Sequence, residues 1–179
     1  MGMTTRRTLP DYIEPGLRIL FVGINPGLRS AQVGHHFAGP SNRFWKLLYA
    51  SRLVSELLTY REDWRLPQWG LGLTNIISRS SAGIDVLRPR EYRAGVVRLR
   101  KKVARHRPKL VALLGVTIFR TIFLPGIRTP ARLSLGLQTA RLAGVPVFLL
   151  PNPSGRNAHY SPRRMLAAFQ SLRHAAGQK

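Results

Sequence analysis

Two glycine- and proline-rich segments of the chain place polar side chains on a stiff backbone. The first reads Gly23-Ile-Asn-Pro-Gly27 and the second reads Asn152-Pro-Ser-Gly-Arg156. Because proline fixes φ and glycine permits positive φ, the first segment can aim the amide of Asn25 into a cleft. An asparagine amide can orient a water molecule or bind a base edge, but it is not a strong base. Each segment taken alone is also typical of an ordinary turn.

Other catalytic patterns are weak or missing in the sequence. It contains no nucleotide-binding glycine motif, no HExxH and no cysteine, so we expect neither a cofactor nor a metal site at His35, His36 or His159. The adjacent pair Glu62-Asp63 lies in a predicted surface segment and does not indicate acid–base catalysis. Asp85 is open to two interpretations: a second catalytic group that activates water, or a solvated loop carboxylate.

The composition favours a nucleic-acid partner. The 179 residues include 29 Lys plus Arg and 7 Asp plus Glu, a formal net charge of +22. This excess favours a polyanion, and the predominance of arginine favours nucleic acid, although an adaptation for solubility would give the same charge. The absence of cysteine excludes disulfides, iron–sulfur clusters and thiolate zinc sites, and it favours an intracellular, cytoplasmic setting.

Length and hydropathy predict one domain over residues 1–179, with a core at about 18–174 and short flexible termini. We expect neither a signal peptide nor a membrane span, because the N-terminus is polar and the apolar runs are short.

Apolar runs and helical spacing predict alternating strands and helices. Buried strands are predicted at Arg18–Val22, Gly70–Ile77, Leu110–Leu114 and Val145–Leu150. Helices are predicted from an N-cap at Ser41 to Leu58, at Glu91–His106, at Val116–Phe123, and after the N-cap Ser161. This alternation predicts a parallel sheet with helices on both faces and a ligand site at the carboxyl ends of the strands. Both polar segments follow predicted strands at that end.

The two segments together, in this order and each after a buried strand, resemble the mismatch-specific uracil/thymine-DNA glycosylase family, a branch of the uracil-DNA glycosylase superfamily. The motif GPSNRFWKLLY, which begins at Gly39, extends the resemblance, and the order and spacing agree from about Arg18 to Leu172. The resemblance implies an α/β/α sandwich around a mainly parallel sheet of four or five strands. It also implies excision of uracil, often thymine, and some modified cytosines, preferably opposite guanine, after the nucleotide leaves the stack.

The resemblance implies roles for residues of the cleft. Asn25 matches the asparagine that positions the attacking water, and faster relatives have an aspartate there. Ile24 and Phe37 match positions that hold the flipped base. Asn152 stands where faster relatives place a histidine that supports the departing uracil anion. Asn75 matches a position where some members have lysine, and it either lines the pocket or caps its own turn.

The resemblance also implies a DNA-binding loop. Arg156 matches the position whose side chain fills the gap left by the flipped nucleotide, and Ser154, Gly155 and Asn157 flank it. Ser30 matches a serine near the DNA backbone and the water. The sequence from Asn157 onwards departs from the family pattern, so the preference for the opposite base stays open. The loop Pro125–Gln138 either contacts DNA through Arg128 and Arg132 or simply joins two elements.

We expect a monomeric, monofunctional glycosylase acting on double-stranded DNA with uracil or mispaired bases. Cleavage of the strand usually needs an amine nucleophile, and only Lys46, on a predicted helix, lies near a motif. The basic stretch Arg98–Lys109 is expected to add diffuse attraction to DNA. Two alternatives remain: a non-catalytic damage-binding module of the same fold, and a glycosylase whose main substrate is hypoxanthine or an etheno adduct.

Overall fold

A central sheet of five strands organises the part of the chain that the computed structural model describes, residues 8–126 and 133–177. The strands are β1 (Ile19–Gly23), β2 (Leu71–Asn75), β3 (Val111–Leu114), β4 (Gly136–Leu142) and β5 (Val145–Leu150). The α-helices are α1 (Leu28–Val33), α2 (Phe44–Ala50), α3 (Pro89–His106), α4 (Val116–Phe123) and α5 (Pro162–Ala175). Two 3₁₀ segments lie at Tyr60–Trp69 and Ile84–Val86. Arg128 and Arg132 lie outside the described residues.

The sheet order is β2-β1-β3-β5-β4, in which β4 alone runs antiparallel to its neighbour. The predicted mainly parallel sheet is therefore confirmed, as are its four predicted strands. The chain passes from β1 to β2 on one side and then to β3 on the other side of β1. Ligand sites of open α/β sheets lie at such a reversal, beyond the carboxyl ends of the strands. The loop after β1, which carries Asn25, begins at this point.

Helices cover both faces of the sheet. Successive side chains of β1 point to opposite faces, and every residue of β1 is buried, so neither face is open to solvent at this strand. On one face α2 packs against α5. There the ring of Phe21 lies 5.3 Å from the ring of Phe44 and 6.4 Å from that of Phe169, measured between centroids. Helices α3 and α4 also contact each other and cover the other face. No helix in residues 8–126 or 133–177 is long and apolar enough to cross a membrane.

The helix predicted from Ser41 to Leu58 is shorter than expected. It ends at Ala50, and Arg52 then adopts a left-handed φ of 60°, which stops the helix. Its N-cap residue is Arg43 and not Ser41, and Asn42 Oδ1 accepts from the amide of Phe44 at 3.0 Å just before the first turn. The apolar residues beyond Ala50 do not belong to a helix. Val54, for example, is buried in the core although it lies in an irregular segment.

Four elements have no counterpart in the sequence-based expectations: β4, the short helix α1 and the 3₁₀ segments Tyr60–Trp69 and Ile84–Val86. Strand β4 lies at the sheet edge and has few buried side chains, so it lacks the apolar run of an inner strand. The expectation that Glu62-Asp63 lies on the surface is wrong for Asp63, whose exposed fraction is 0%. Hydrogen-bond donors surround its carboxylate and compensate for the loss of contact with water.

Gly95 of α3 lies against the chain just beyond β2, where an added Cβ would overlap the carbonyl oxygen of Ile76. We predict that Gly95→Ala lowers the free energy of unfolding by about 1–3 kcal/mol through overpacking, measured by denaturant titration. Helix propensity alone predicts a gain of about 1 kcal/mol, and such a gain would contradict the packing. Exposed Ala94→Gly is the control, with an expected loss of about 1 kcal/mol from propensity only.

Candidate functional site

A cleft of about 440 Å³ opens at the carboxyl ends of β1, β2, β3 and β5. Nine of the predicted site residues line it: Ile24, Asn25, Ser30, Phe37, Asn75, Asn152, Ser154, Gly155 and Arg156. Asp85 and Asn157 are not among the lining residues. In the described part of the chain, the lining contains no aspartate, glutamate or lysine. Its polar lining groups are instead side-chain amides and hydroxyls, the His36 ring and the guanidinium groups of Arg29 and Arg156.

The amide of Asn25 is held in one orientation. Its Nδ2 donates to Ser81 Oγ at 2.8 Å and lies 3.1 Å and 3.2 Å from the carbonyl oxygens of Arg79 and Pro26. Carbonyl oxygens only accept, so a reversed amide would place Oδ1 against two acceptors. In the native orientation Oδ1 has no partner among the described residues. This oxygen, at the edge of the cleft, can accept a hydrogen bond from a water molecule.

Ser81 and Arg79 support Asn25 and were missed by the sequence analysis. Ser81 is 7% exposed and donates its hydroxyl proton to Gly83 at 2.7 Å, so its oxygen is left to accept from Asn25. The guanidinium of Arg79 forms a two-point ion pair with Glu91 of α3. That pairing lowers the pKa of Glu91 to about 2, so the ion pair persists at neutral pH. No motif marks residues 79–81; only their place after β2 could have indicated them.

Phe37 presents a ring to the cleft. The ring centroid lies 4.1 Å from that of Phe44, with an angle of 33° between the planes. Behind it, Phe44 belongs to the core, so the Phe37 ring is supported from within. Ile24 is 8% exposed, and its carbonyl accepts from the amide of Ile77 at 2.8 Å. The carbonyl of Ile24 is thus engaged by the protein.

Asn75 enters the cleft because its neighbour on β1 is glycine. A Cβ on Gly23 would lie 2.5 Å from Asn75 Oδ1, so any larger residue would displace this amide. Within the described residues the Asn75 side chain makes no hydrogen bond, and it does not cap its own turn. Both its donor and its acceptor groups are available to a ligand.

The loop after β5 is rigidly attached to the segment that precedes α2. The amide of Arg43 donates to the carbonyl of Pro153 at 2.9 Å, and Gly155 packs so closely on Ser41 that a Cβ would overlap its side chain. This attachment holds the NPSG and GPSNRFW segments side by side at the cleft. Within the loop, Asn152 Oδ1 accepts from the amide of Ser154 at 2.9 Å. The Asn152 Nδ2 group has no partner among the described residues and remains a free donor at the cleft.

Arg156 is exposed and reaches across the mouth of the cleft, where it donates to the carbonyl of Ala82 at 3.3 Å. The other predicted residues of this region have internal contacts. Asn157 Nδ2 donates to the carbonyl of Asn152 at 2.9 Å, and Ser30 Oγ accepts from the amide of Ala38 at 3.0 Å. Asp85 is exposed in the 3₁₀ turn after Gly83.

The histidines before Phe37 form hydrogen bonds within the protein. His35 Nδ1 lies 3.0 Å from a carboxylate oxygen of Asp63, and His36 Nε2 lies 2.8 Å from the carbonyl of Pro10. Across the described ranges no group of three or more His, Cys, Asp and Glu side chains could hold a metal ion.

The chain is similar to known proteins in sequence and in fold. The family model described as "Uracil DNA glycosylase superfamily" matches residues 10–173. The G/U mismatch-specific uracil DNA glycosylase of Schizosaccharomyces pombe is 40% identical over 162 residues, which are 87% of this chain and 50% of that protein. The chain thus spans about half the length of this relative. The solution NMR structure of a provisionally assigned uracil DNA glycosylase from Methanosarcina acetivorans has a similar fold, with a TM-score of 0.58. It is 18% identical, and the match covers 94% of this chain and 97% of that one.

Burial lowers the pKa of His36, although the Pro10 carbonyl and the charge of Asp63 act in the opposite direction. The unfolded chain therefore binds a proton more readily than the folded one, and stability falls as the pH drops below about 6.5, the ordinary value. We predict that His36→Gln, which keeps a donor for Pro10, reduces the loss of unfolding free energy between pH 7 and pH 5. Denaturant titrations at both pH values measure this loss. An unchanged pH dependence would contradict the prediction.

Proposed function

We propose that this chain, which belongs to the uracil DNA glycosylase superfamily, excises uracil from double-stranded DNA as a step of base excision repair. The observation that carries the proposal is the fixed amide of Asn25, whose unpaired Oδ1 borders a cleft at the carboxyl end of β1. The similarity to the S. pombe enzyme supports uracil opposite guanine as the substrate. Thymine and modified bases are further candidates.

The proposed reaction is hydrolysis of the N-glycosidic bond. The bond between the sugar C1′ and the base nitrogen breaks with its electron pair going to uracil, which leaves as an anion while the sugar becomes oxocarbenium-like. Water then adds to C1′ and loses a proton to the solvent, and the uracil anion takes up a proton from the solvent. Asn25 Oδ1 would hold this water by accepting a hydrogen bond from it, which is a positional contribution and not proton abstraction.

The remaining cleft residues would bind the flipped base. The ring of Phe37, supported by Phe44, suits base stacking, which is worth about 1–3 kcal/mol per base. The free Nδ2 group of Asn152 would donate to the uracil anion as charge develops on it. Asn75, whose amide is unpaired, would bind the polar edge of the base together with the amide of Ile24. Because no lysine lines the described cleft, we propose a monofunctional enzyme that leaves an abasic site.

Arg156 would leave the carbonyl of Ala82 and enter the gap in the helix, where an arginine can fill space and hydrogen-bond the orphaned guanine. Ser154, Gly155 and Asn157 would shape this loop against the DNA backbone near Ser30. The net charge of +22 would supply the general attraction to phosphates. We also propose that the chain acts as a cytoplasmic monomer without a cofactor, and that Asp85 contributes only to the loop.

The proposal is tested in single-turnover assays with end-labelled duplexes that contain G·U, A·U, G·T or G·hypoxanthine, followed by alkali to cut abasic sites. Cleavage of the G·U duplex only after alkali is expected. Tight binding without an alkali-sensitive product would instead support a non-catalytic damage-binding module. Cleavage confined to the hypoxanthine duplex would identify another base as the substrate.

Asn25→Ala removes the proposed water ligand while leaving the rest of the cleft in place. We predict that the single-turnover rate on the G·U duplex falls about a hundredfold or more, because the water loses its position. The dissociation constant for the same DNA should change less than threefold. Gln68→Ala, which removes an exposed amide outside the cleft, is the control with an unchanged rate. If Asn25→Ala lost DNA binding and base release together, the catalytic role would be wrong.

Arg156→Ala tests whether the Arg156 side chain enters the gap left by the flipped nucleotide or only adds positive charge that attracts DNA. We predict that release of uracil from the G·U duplex falls about tenfold or more, because a specific contact to guanine is worth about 1–3 kcal/mol. Release from single-stranded DNA should fall much less, since no orphaned base exists there. Arg100→Ala removes an exposed charge of α3, and it should only reduce the salt dependence of binding by about one unit of slope. Equal losses in both variants would disprove insertion.

A further inference from the structure

Asp63 is a fully buried carboxylate outside the cleft, in the 3₁₀ segment Tyr60–Trp69. Three donors surround it. The hydroxyl of Tyr12 donates to Oδ1 at 3.1 Å, the ring of His35 lies 3.0 Å from the same oxygen, and the backbone amide of His36 donates to Oδ2 at 2.8 Å. A buried charge is costly unless it is well hydrogen-bonded, so these contacts define a specific local structure. The proposed reaction does not use this carboxylate directly.

The contact with the His36 amide matters because the next residue is strained. Phe37 has a φ of 53°, in the left-handed region that favours glycine and is unfavourable for a bulky side chain. Such a conformation persists only where the surroundings enforce it. Here both neighbouring amides are fixed: that of His36 by Asp63, and that of Ala38 by Ser30 Oγ at 3.0 Å.

The strained backbone has a consequence for the cleft. It turns the Phe37 ring onto Phe44, with 4.1 Å between centroids, while the same ring lines the cleft. In an ordinary extended or helical conformation the Cβ of Phe37 would point elsewhere, and the cleft would lose this aromatic wall. Because the Phe37 ring is already fixed in the cleft, binding of the flipped base does not include the free-energy cost of ordering this ring.

We propose that Asp63 is a positioning residue that keeps Phe37 in its left-handed conformation and so forms the stacking surface for the flipped base before DNA binds. The inference rests on the proposed glycosylase function for its kinetic consequence. The backbone consequence is independent of any activity, because it concerns the DNA-free protein alone.

A double-mutant cycle tests the link between the two residues. We expect Asp63→Ala and Phe37→Ala each to lower the single-turnover rate on the G·U duplex about tenfold, as the loss of base stacking implies. The double variant should also lose about tenfold, because Asp63 has nothing to position once the ring is gone. A loss of about a hundredfold in the double variant would show that Asp63 acts independently of Phe37 and would overturn the proposal. Asp63→Ala with an unchanged rate would do the same.

Two further variants separate positioning from general stability. Asp63→Asn retains an acceptor for the His36 amide, so it should keep the rate within about threefold. Tyr12→Phe removes a hydrogen bond to the same carboxylate but leaves that amide contact intact, and its rate should be unchanged. If Tyr12→Phe lowered the rate as much as Asp63→Ala, the buried cluster rather than the Phe37 turn would be responsible. If Asp63→Ala does not fold, Asp63→Leu, of similar size and without an acceptor, takes its place in the cycle.

The conformation of Phe37 provides a readout without DNA. Its Cα and Cβ chemical shifts report φ, and we expect them to move in Asp63→Ala but not in Asp63→Asn. Unmoved shifts in Asp63→Ala would overturn the positioning role. If the wild-type protein released no base while these shifts moved as expected, the proposed function would fail and the structural role of Asp63 would stand.

Discussion

The hydrogen bonds around Asn25 Nδ2 are the interaction on which the rest of the site depends. Three acceptors, from Pro26, Arg79 and Ser81, surround this one nitrogen and leave Oδ1 to the cleft. The arrangement requires the chain beyond β2 to lie beside the chain beyond β1, which the parallel pairing of the two strands provides. The Asn25 amide thereby has a fixed orientation, and the proposed positioning of a water molecule requires such an orientation.

The few acidic residues of the chain lie outside the cleft in the part that the structure describes, and most of them contact basic side chains. Four of the seven carboxylates form ion pairs with arginine or lysine within the described residues: Asp11, Glu56, Glu62 and Glu91. Asp63 is instead hydrogen-bonded to Tyr12, His35 and His36. None of the acidic residues in that part of the chain lines the cleft. These acids contact other parts of the protein, whereas Arg29 and Arg156 line the cleft, and the net charge of +22 favours a polyanionic ligand. The proposed reaction therefore relies on positioning and electrostatic stabilisation rather than on a carboxylate base.

Only the family resemblance indicated Phe37, Asn75 and Ser30 as residues of the cleft. Much of the fold, together with Asn25 and Arg156, could be predicted from the sequence because apolar strands and proline–glycine loops are local signals. The supporting contacts could not. Asp63 follows Glu62 in a polar stretch, and only the tertiary structure shows that the amide of His36 and the hydroxyl of Tyr12 bury it. Ser81 belongs to no motif and acts through a contact 56 positions away in the sequence. Strand β4 pairs at an edge, where the period of buried residues is too weak to predict a strand.

In the proposed reaction, a flipped uracil enters the preformed cleft while Asn25 holds the water. A crystal structure with a G·U duplex containing 2′-fluoro-deoxyuridine, whose glycosidic bond resists cleavage, tests this most directly. We expect the uracil ring to stack on Phe37 and a water molecule to lie on Asn25 Oδ1, facing C1′. We expect Arg156 to occupy the gap beside guanine. A uracil that stayed in the helix, or an Asn25 amide turned towards the base with no water near C1′, would contradict it.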